Sequence, residues 1–500
     1  MFEKAALSQL RLDDSQLQAE VTNLLNQLGK QDSDWSSWTF QKIVMRLGSH
    51  SLIEHDHQNH TYSIHPLVHL WSGTTMERNK HNMQKLILTV IAISFPLAFT
   101  NEDHKYRRKL LKHTTSSMAS LKPEDINPLV GMHIAWIYYE AGRLKEMEAL
   151  EEVAMEKRKR MLGDGHPDTL KSMECLAGTY WSQGRWGEAE ALYLVVVEKR
   201  TLVLGDDHPN TLESMGHLAG TYWSQGRWSE AEALYLMVLE KRKSVLGDDH
   251  PDTLVGMGDL ATTYLSQGRW KEAEALQVVV MEKAKQLLGE DHPNTLISMA
   301  SLAYTYRNQG RLDDAEALEL VILEKSKQLL GDDHPQTLRY MGNLASTYRE
   351  QGHLKDAETL EVSVLEKRKQ LLGDEHPLTL RAMSNLGLTY WKQGRLQDAV
   401  TLQLVTMEKT KRALGDNHNY TLDNMANLAN TYRDQGRLKD AEVLGVEVIE
   451  KMKRVNGEDH PDTLKSMSSL AATHRDMGRL DNAEGLETVV KENGNRRDNS

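Results

Sequence analysis

Cysteine, basic charge and long apolar runs are all scarce in this chain of 500 residues, and each scarcity excludes a class of protein. The single cysteine, Cys175, can form no disulfide within the chain and cannot build a zinc site from several thiolates. Lys and Arg number 60 against 72 Asp and Glu, so the formal charge is −12 and the basic footprint typical of nucleic-acid binding is missing. We therefore expect no nucleic-acid partner and no disulfide framework.

The longest apolar run, residues 86–99, is too short for a membrane span. It has 14 residues and includes Thr89, Ser94 and Pro96, whereas a spanning helix needs about 20 apolar residues. We expect a buried helix here and no membrane association. The first residues also lack the pattern of a secretory signal, which favours a cytoplasmic protein.

What the chain does contain is a repeat of 42 residues. Glycine recurs at this interval from Gly142 to Gly478, and proline directly follows seven of the eight histidines that recur at the same interval. A register kept over several hundred residues indicates a tandem array that covers about three quarters of the chain. The recurring histidines stand at positions 166, 208, 250, 292, 334, 376, 418 and 460.

Each repeat begins with a predicted helix. In the unit that starts at His166, apolar residues recur at helical spacing from Leu170 to Tyr180. Pro167 suits the first helical turn because its missing N–H would have no partner there. Gly184 supplies the positive φ with which such a helix ends.

A second helix follows from about residue 185 to 203 and ends at Gly205. Small residues such as Ala177 and Ala189 are expected where the two helices approach most closely. One helix pair cannot bury its apolar face alone, so the pairs are expected to stack into a solenoid.

The unit pattern Leu-Ala-x-x-Tyr-x-x-x-Gly, followed by Ala-Glu-Ala, resembles the tetratricopeptide repeat. The 42-residue period and the Gly-Asp-Asp-His-Pro junction are similar to the long variant in kinesin light chains and many fungal repeat proteins. This resemblance implies an all-α superhelical solenoid of about nine helix pairs over residues 126–492. Residues 76–125 are then expected to be a helical linker and residues 493–500 a disordered tail.

Residues 1–75 do not repeat and predict a small winged-helix-like segment. An amphipathic stretch near residues 38–48 precedes two short apolar runs joined by the polar turn at residues 56–59, which indicates a helix followed by a β-hairpin. The next residues, Ile64-His65-Pro66-Leu67-Val68, resemble the Met-His-Asp motif of NB-ARC ATPases. That resemblance implies a remnant of an NB-ARC module, with His65 at the position of the histidine that contacts bound ADP.

No motif for catalysis or cofactor binding stands out. The phosphate-cradling pattern G-x-x-x-x-G-K-[ST] does not occur in the sequence, so we expect neither binding nor hydrolysis of ATP. The histidines between His50 and His69 are irregularly spaced, and the junction histidines belong to separate repeats, so neither set predicts a metal site. We expect no enzyme activity, no cofactor and no metal.

Resemblance to the tetratricopeptide family implies that the first helix of each pair lines a concave groove. Tryptophan and arginine are the side chains most often found at binding hot spots, and arginine can hold a carboxylate with two bonds. The alternative is that these residues only cover their own helix. One position of the first helices changes from aromatic to mostly basic along the array: Tyr139, Trp181, Trp223, Leu265, Arg307, Arg349, Trp391, Arg433 and Arg475.

A second position carries asparagine in three successive units, Asn343, Asn385 and Asn427. In kinesin light chains and related grooves, asparagines here bond the backbone of an extended peptide. A carboxamide can both donate to and accept from a peptide unit, although side chains that merely face solvent are an equal alternative. The two positions together predict a groove for an extended segment, apolar over the first units and acidic over the later ones.

These patterns predict a non-enzymatic scaffold whose partner is a protein or peptide. The NB-ARC resemblance adds the hypothesis that the chain is the sensor end of a signalling or immune protein of that type without its ATPase. The alternative is a kinesin light chain-like cargo adaptor, although residues 7–28 give at most three heptads with broken spacing. Because no polar helix covers Leu480, Leu486 and Val489, self-association through the last repeat is a further expectation.

Overall fold

The computed structural model of the chain describes residues 53–56, 61–64, 84–85, 88, 91–92, 101–119 and 121–498. The chain divides into two compact units. The first comprises Met1–Glu140 with Lys145–Lys157, and the second comprises Ala141–Leu144 with Arg158–Ser500. Each unit is described by itself.

The first unit contains a β-hairpin. Strand β1 (Ile53–Asp56) pairs with β2 (Thr61–Ile64) in antiparallel register, and Ile53 lies opposite Ile64. The hairpin prediction is thereby confirmed. The predicted helix near residues 38–48 and the motif histidine, His65, lie outside the described residues.

Helices follow the hairpin in the first unit. They are α1 (Asn101–Met118), α2 (Pro128–Glu140) and α3 (Leu144–Leu162), with a short 3-10 turn at Pro123–Asp125. In the apolar run at 86–99, the described residues Leu88, Ile91 and Ala92 are helical and buried, as expected. No helix in the described part of the chain is long and apolar enough to cross a membrane.

The second unit is built from eight helix pairs, and α2 with α3 makes nine pairs within residues 128–498, the number expected from the sequence. The all-α repeat architecture is confirmed. The eight pairs are α4 (Pro167–Ser182) with α5 (Trp186–Leu204), α6 (Pro209–Ser224) with α7 (Trp228–Leu246), α8 (Pro251–Ser266) with α9 (Trp270–Leu288), α10 (Pro293–Asn308) with α11 (Leu312–Leu330), α12 (Pro335–Gln351) with α13 (Leu354–Leu372), α14 (Pro377–Lys392) with α15 (Leu396–Leu414), α16 (Asn419–Asp434) with α17 (Leu438–Val455), and α18 (Pro461–Asp476) with α19 (Leu480–Asp498).

The recurring histidine is the N-cap of each first helix. The ring Nδ1 of His166 accepts a hydrogen bond from the backbone N–H of Asp168 (3.2 Å), and the other seven junction histidines make the same bond. This bond satisfies one of the amide groups that a helix leaves unpaired at its start. The junction histidines are therefore structural, as their spacing indicated.

The turn between the two helices of a pair requires glycine. At Gly184 the backbone has φ +75°, and the next amide, that of Arg185, donates to the carbonyl of Tyr180 (2.9 Å). This is a Schellman cap, in which the left-handed residue lets the chain reverse directly into the second helix. The guanidinium of Arg185 then lies over the Tyr180 ring, 4.1 Å from its centroid.

The core of each pair forms where alanines meet. Ala177 on α4 and Ala189 on α5 are fully buried and pack with Tyr193 and with Leu218 of the next pair. Small side chains allow close approach of the two axes, and the neighbouring pair covers the remaining apolar surface. The expected positions of closest contact are confirmed.

The predicted tail over residues 493–500 is partly wrong. Helix α19 continues to Asp498, and Asn493 is buried, so residues 493–498 extend the last helix. The array as a compact body also begins later than residue 126, because residues 128–140 and 145–157 belong to the first unit.

Neighbouring first helices approach each other more closely than neighbouring second helices do. In a curved stack the more closely spaced elements lie on the inner side, so the first helices form the inner face of the second unit. The curvature is strong enough that repeats six units apart touch. The Nε2–H of His418 donates to the carbonyl of Ser182 (3.3 Å), and that of His460 to the carbonyl of Ser224 (3.1 Å).

Candidate functional site

The three tryptophans predicted to line the groove each join two successive first helices. The indole N–H of Trp181 donates to Ser224 Oγ (2.8 Å), and that of Trp223 donates to Ser266 Oγ (2.8 Å). Trp391 donates in the same way to Asp434 Oδ2 (2.6 Å). Since 43% of Trp181 stays exposed while its N–H is satisfied, the ring leaves an apolar surface accessible on the inner face.

Two of the predicted arginines are largely used inside the protein. Arg307 donates to the backbone carbonyl of Asn343 (3.2 Å) and lies 3.6 Å from a carboxylate oxygen of Glu319. Arg349 donates to Glu361 Oε1 (2.6 Å). Only 12% and 13% of these two arginine side chains are exposed. Arg307 thus joins two neighbouring units, and Arg349 joins the two helices of its own pair, a structural role that differs from the predicted covering of their own helix.

The two later arginines are more accessible. Arg433 is 22% exposed and contacts Asp434 and, at 3.7 Å, Asp476. Arg475 is 55% exposed and pairs with Glu487 at 2.5 Å. An exposed ion pair of this kind contributes little to stability, so its arginine can exchange partners at small cost.

The three predicted asparagines have unused hydrogen-bonding capacity. Within the described residues, the side-chain amides of Asn343, Asn385 and Asn427 form no hydrogen bond, and all three side chains are half-buried. Asn343 and Asn385 line one common pocket between α12, α13 and α14. The structure therefore brings two of the three together and places the third one unit further along the same face.

At the start of the array the inner face carries a buried charge cluster. Glu174, which is 4% exposed, accepts from both terminal nitrogens of Arg200 (3.0 and 3.2 Å) and lies 3.0 Å from Lys171 Nζ and 3.4 Å from His217 Nδ1. Burial alone would raise the pKa of Glu174, but the bond to His217 and the charges of Lys171 and Arg200 outweigh it and lower the pKa to about 2. Glu174 is therefore ionised and structural.

Two units further along the array, at Asp259, burial has the opposite effect. It raises the pKa of Asp259 to about 6, because the charges of Arg242 and His217 offset the burial only in part. Asp259 occupies the position that asparagine takes in the later units. At this position the side chain thus changes along the array from an acid, at Asp259, to the neutral amides of Asn343, Asn385 and Asn427.

Three arginines of the inner face were missed by the sequence analysis: Arg339, Arg368 and Arg381, which line the pocket shared by Asn343 and Asn385. Aligning the units at the 42-residue interval would have shown Arg339 and Arg381 in equivalent positions of adjacent first helices. Arg368 lies on a second helix, where the same alignment places it with Arg158, Arg200 and Arg242.

A larger cleft of about 1200 Å³ lies where repeats six units apart meet, and its walls include Arg227, Arg269 and His460. Those two arginines already pair with Glu190 and Glu232 at 2.8 Å. Their charges are compensated inside the protein. Within the described residues, no group of three or more His, Cys, Asp or Glu side chains is placed to hold a metal ion.

This geometry defines a helical-repeat solenoid with a continuous inner face. A family model described as tetratricopeptide repeat matches residues 168–244 and 217–282, and a second model of the same description matches residues 132–168, 295–336, 337–378, 379–420 and 421–462. Together the matches cover more than half of the chain. The chain belongs to the tetratricopeptide repeat family.

The chain is also similar to solved structures of other proteins. A putative kinesin light chain from Podospora anserina with nearly identical TPR-like repeats is 29% identical, and the match covers 41% of this chain and 97% of that one at a TM-score of 0.36. BtubC from P. vanneervenii is 19% identical, with 46% and 92% covered and a TM-score of 0.39. The apo form of the quorum sensor NprR from B. thuringiensis is 16% identical, with 73% and 97% covered and a TM-score of 0.46. No curated protein matches the sequence.

Proposed function

We propose that the repeat array is a non-enzymatic interaction scaffold that binds an extended, partly acidic protein segment along its inner face. The observation that carries this proposal is the row of three half-buried asparagines, Asn343, Asn385 and Asn427, whose amides form no hydrogen bond to the described residues and are open to a partner. A peptide backbone supplies both the donor and the acceptor that these carboxamides can bond.

The spacing of these amides fits an extended chain. Packed helices lie about 8–10 Å apart, and a strand advances about 3.3 Å per residue. One asparagine would therefore meet every third residue of the bound segment. Each of these contacts is to main-chain atoms, so the three asparagines would bind a segment without selecting its sequence.

Selectivity would come from the side chains that flank the row. Trp181 presents an exposed ring at the beginning of the array, and Arg433 and Arg475 present accessible guanidinium groups near its end. A segment that is apolar at one end and acidic at the other complements this order. Because the attraction to acidic residues is electrostatic and partly exposed, we expect affinity to fall as salt rises.

The test uses the full chain and a displayed library of random 15-residue peptides. Asn343, Asn385 and Asn427 are replaced together by alanine, and the matched control replaces the exposed amides Gln286, Gln328 and Gln370, which recur at the same interval on second helices. At about 0.5–1.5 kcal/mol for each hydrogen bond, the asparagine variant should bind selected peptides about 10- to 1000-fold more weakly by calorimetry. Equal affinity of the asparagine variant and the glutamine control would contradict the proposal.

A kinesin light chain-like cargo adaptor is the second candidate. The observation that favours it is the 42-residue unit with its His-Pro junction, in which every junction histidine caps a helix. Co-precipitation with a kinesin heavy chain would support it. Absence of that complex, together with retained peptide binding, would leave the general scaffold as the function.

A role as the sensor part of an NB-ARC-type signalling protein rests on the hairpin of β1 and β2, followed in sequence by the motif that contains His65. Because the sequence has no phosphate-binding loop, we expect no ADP or ATP affinity. Micromolar nucleotide binding by calorimetry would overturn that expectation.

A further inference from the structure

An arginine recurs on the second helices of four units, at positions 158, 200, 242 and 368. In the first two of these units its charge has partners on neighbouring first helices. Arg158 donates to Ser172 Oγ (2.8 Å), and Arg200 donates to both carboxylate oxygens of Glu174 and to Ser214 Oγ (2.6 Å). In these units, acceptor side chains on the neighbouring first helices satisfy the guanidinium at this position.

Arg368 lacks these acceptor side chains. The residues at the positions of Glu174 and Ser214 are Gly342 and Ala382, which offer no side-chain acceptor. Arg242 also faces two glycines, but Asp259 lies close enough to interact with its charge, and at the corresponding position Arg368 has the neutral Asn385.

Arg368 is only 5% exposed, yet its one hydrogen bond within the described residues goes from Nη1 to the backbone carbonyl of Leu378 (2.8 Å). Most of its donor capacity is therefore unused. A buried charge without a counter-charge is strongly unfavourable. Burial and the nearby charge of Arg381 accordingly lower the pKa of Arg368 to about 10.

The missing side chains leave a pocket of about 150 Å³ in front of Arg368. A Cβ placed on Gly342 would meet nothing within 4 Å, so the space lies beside that glycine. Arg339 and Arg381 line the same pocket, neither forms an ion pair within the described residues, and Arg339 Nε is buried without a hydrogen-bond partner. A cavity of this volume is large enough for benzene in other proteins, so a tetrahedral oxyanion fits.

The charges decide which anion fits best. Glu361 also lines the pocket. Its Oε1 accepts from Arg349 (2.6 Å), which balances its charge, while its Oε2 is buried without a hydrogen-bond partner within the described residues. The arginines at 339, 368 and 381 then leave three uncompensated positive charges. A carboxylate would neutralise one of them, whereas a phosphate monoester carries about −1.5 to −2 at pH 7 and offers three acceptor oxygens.

We propose that the pocket formed by Arg339, Arg368 and Arg381 binds a phosphate monoester, the phosphorylated side chain of a segment lying on the inner face. This inference rests on the proposed function for the source of the phosphate, since Asn343 and Asn385 border the same pocket. The arginines would donate to the phosphate oxygens while the asparagines hold the backbone on either side. Binding of the array would then be switched by phosphorylation of its partner.

The test titrates the full chain with N-acetyl-phosphoserine amide, with inorganic phosphate and with N-acetyl-glutamate amide, followed by calorimetry and phosphorus NMR. The key variant is Gly342→Glu. It places a carboxylate in the position relative to Arg368 that Glu174 has relative to Arg200, so the new side chain occupies the pocket and pairs with Arg368. The matched control is Gly258→Glu, at the equivalent position of a unit that has Ala284 in place of the arginine and equally open space at the glycine.

We expect saturable binding of phosphoserine amide to the native chain and to G258E, and at least a tenfold loss in G342E. Glutamate amide should bind at least tenfold more weakly than phosphoserine amide. Equal binding to G342E and G258E would overturn the proposal, as would glutamate amide binding as well as phosphoserine amide. If inorganic phosphate binds but phosphoserine amide does not, the pocket takes free anions and the proposed partner is wrong.

Because the new charge of G342E is a second way to disturb folding, Arg381→Gln serves as a second variant on an exposed side chain. It should weaken phosphoserine amide binding at least fivefold while leaving the circular dichroism spectrum unchanged, and unchanged binding would count against the site. No peptide is needed in this experiment. Loss of peptide binding in the asparagine variant therefore tests the scaffold function, and loss of phosphoserine binding tests the pocket, independently of each other.

Discussion

The Nε2–H of His460 donates to the backbone carbonyl of Ser224, 3.1 Å away and 236 residues earlier in the chain. The same ring accepts from the Asp462 amide through Nδ1, so one imidazole caps its own helix and closes the superhelix. Trp186 stacks on this ring with a centroid distance of 5.6 Å. The contact turns a one-dimensional stack of repeats into a coil in which distant repeats stabilise each other.

A comparison of two glycines tests this closure. Gly226 and Gly310 have φ of +75° and +76°, so an alanine costs each about 1 kcal/mol in backbone strain. Only at Gly226 would the new Cβ also collide, lying 2.7 Å from Pro461 Cδ, whereas nothing lies within 4 Å at Gly310. We expect Gly226→Ala to loosen the coil and raise the radius of gyration in small-angle scattering, while Gly310→Ala leaves it unchanged.

Unfolding in urea gives the second readout for this pair of variants. Gly310→Ala should lose about 1 kcal/mol, and Gly226→Ala should lose more because the contacts around Pro461 and His460 are disturbed as well. If Gly226→Ala and Gly310→Ala gave identical scattering curves and lost the same stability, the contact between distant repeats would not stabilise the coil.

Glu174 gives a prediction about pH. Its folded pKa of about 2 lies below the ordinary value of 4.5, so the stabilisation is present above pH 4.5 and is lost as pH falls toward 2. From the size of the pKa shift, the carboxylate contributes up to about 3 kcal/mol at neutral pH and about half of that at pH 3. The difference in unfolding free energy between the native chain and Glu174→Gln should therefore shrink between pH 6 and pH 3.

Glu188 provides the control for this measurement. It pairs with Arg185 on the surface, with 55% of its side chain exposed, so Glu188→Gln should change stability by less than about 1 kcal/mol at any pH. A difference for Glu174→Gln that stays constant from pH 6 to pH 3 would show that the ionised carboxylate is not what stabilises the cluster.

The sequence was sufficient to predict the helix boundaries and the core positions that recur in each unit. Helix starts at residues such as His166 and turns at residues such as Gly184 follow from local backbone chemistry, which is the same in each unit. Alanine positions such as Ala177 follow from helical spacing. These signals are short-range, so the helix pairs and their stacking could be predicted without knowing the curvature of the superhelix.

Features that depend on the curvature could not be predicted in this way. Contact between His460 and Ser224 arises from small rotations summed over six units, and no local pattern encodes that sum. The predicted groove arginines illustrate the same limit, because the bond from Arg307 to the Asn343 carbonyl depends on how two neighbouring pairs meet. The arginine pocket went unpredicted because it is defined by side chains that are missing, at Gly342 and Ala382.

Threonine is buried near the start of every first helix in the second unit, but its hydroxyl does not have the same partner in each. Thr253 Oγ1 donates to the carbonyl of Gly247 (2.8 Å), which binds the end of one unit to the start of the next. Thr379 is also fully buried, yet its hydroxyl has no partner within the described residues. The same substitution to the nearly isosteric valine should therefore have opposite effects at the two positions.

Thr253→Val should destabilise the protein by about 1–2 kcal/mol, because it removes a buried hydrogen bond and leaves the Gly247 carbonyl without its partner. Thr379→Val should be neutral or stabilising by up to about 1 kcal/mol, since it replaces an unsatisfied hydroxyl with a methyl group. Urea unfolding of both variants beside the native chain measures the two changes. Equal losses of unfolding free energy at the two positions would mean that the Thr379 hydroxyl is hydrogen-bonded in solution, as the Thr253 hydroxyl is.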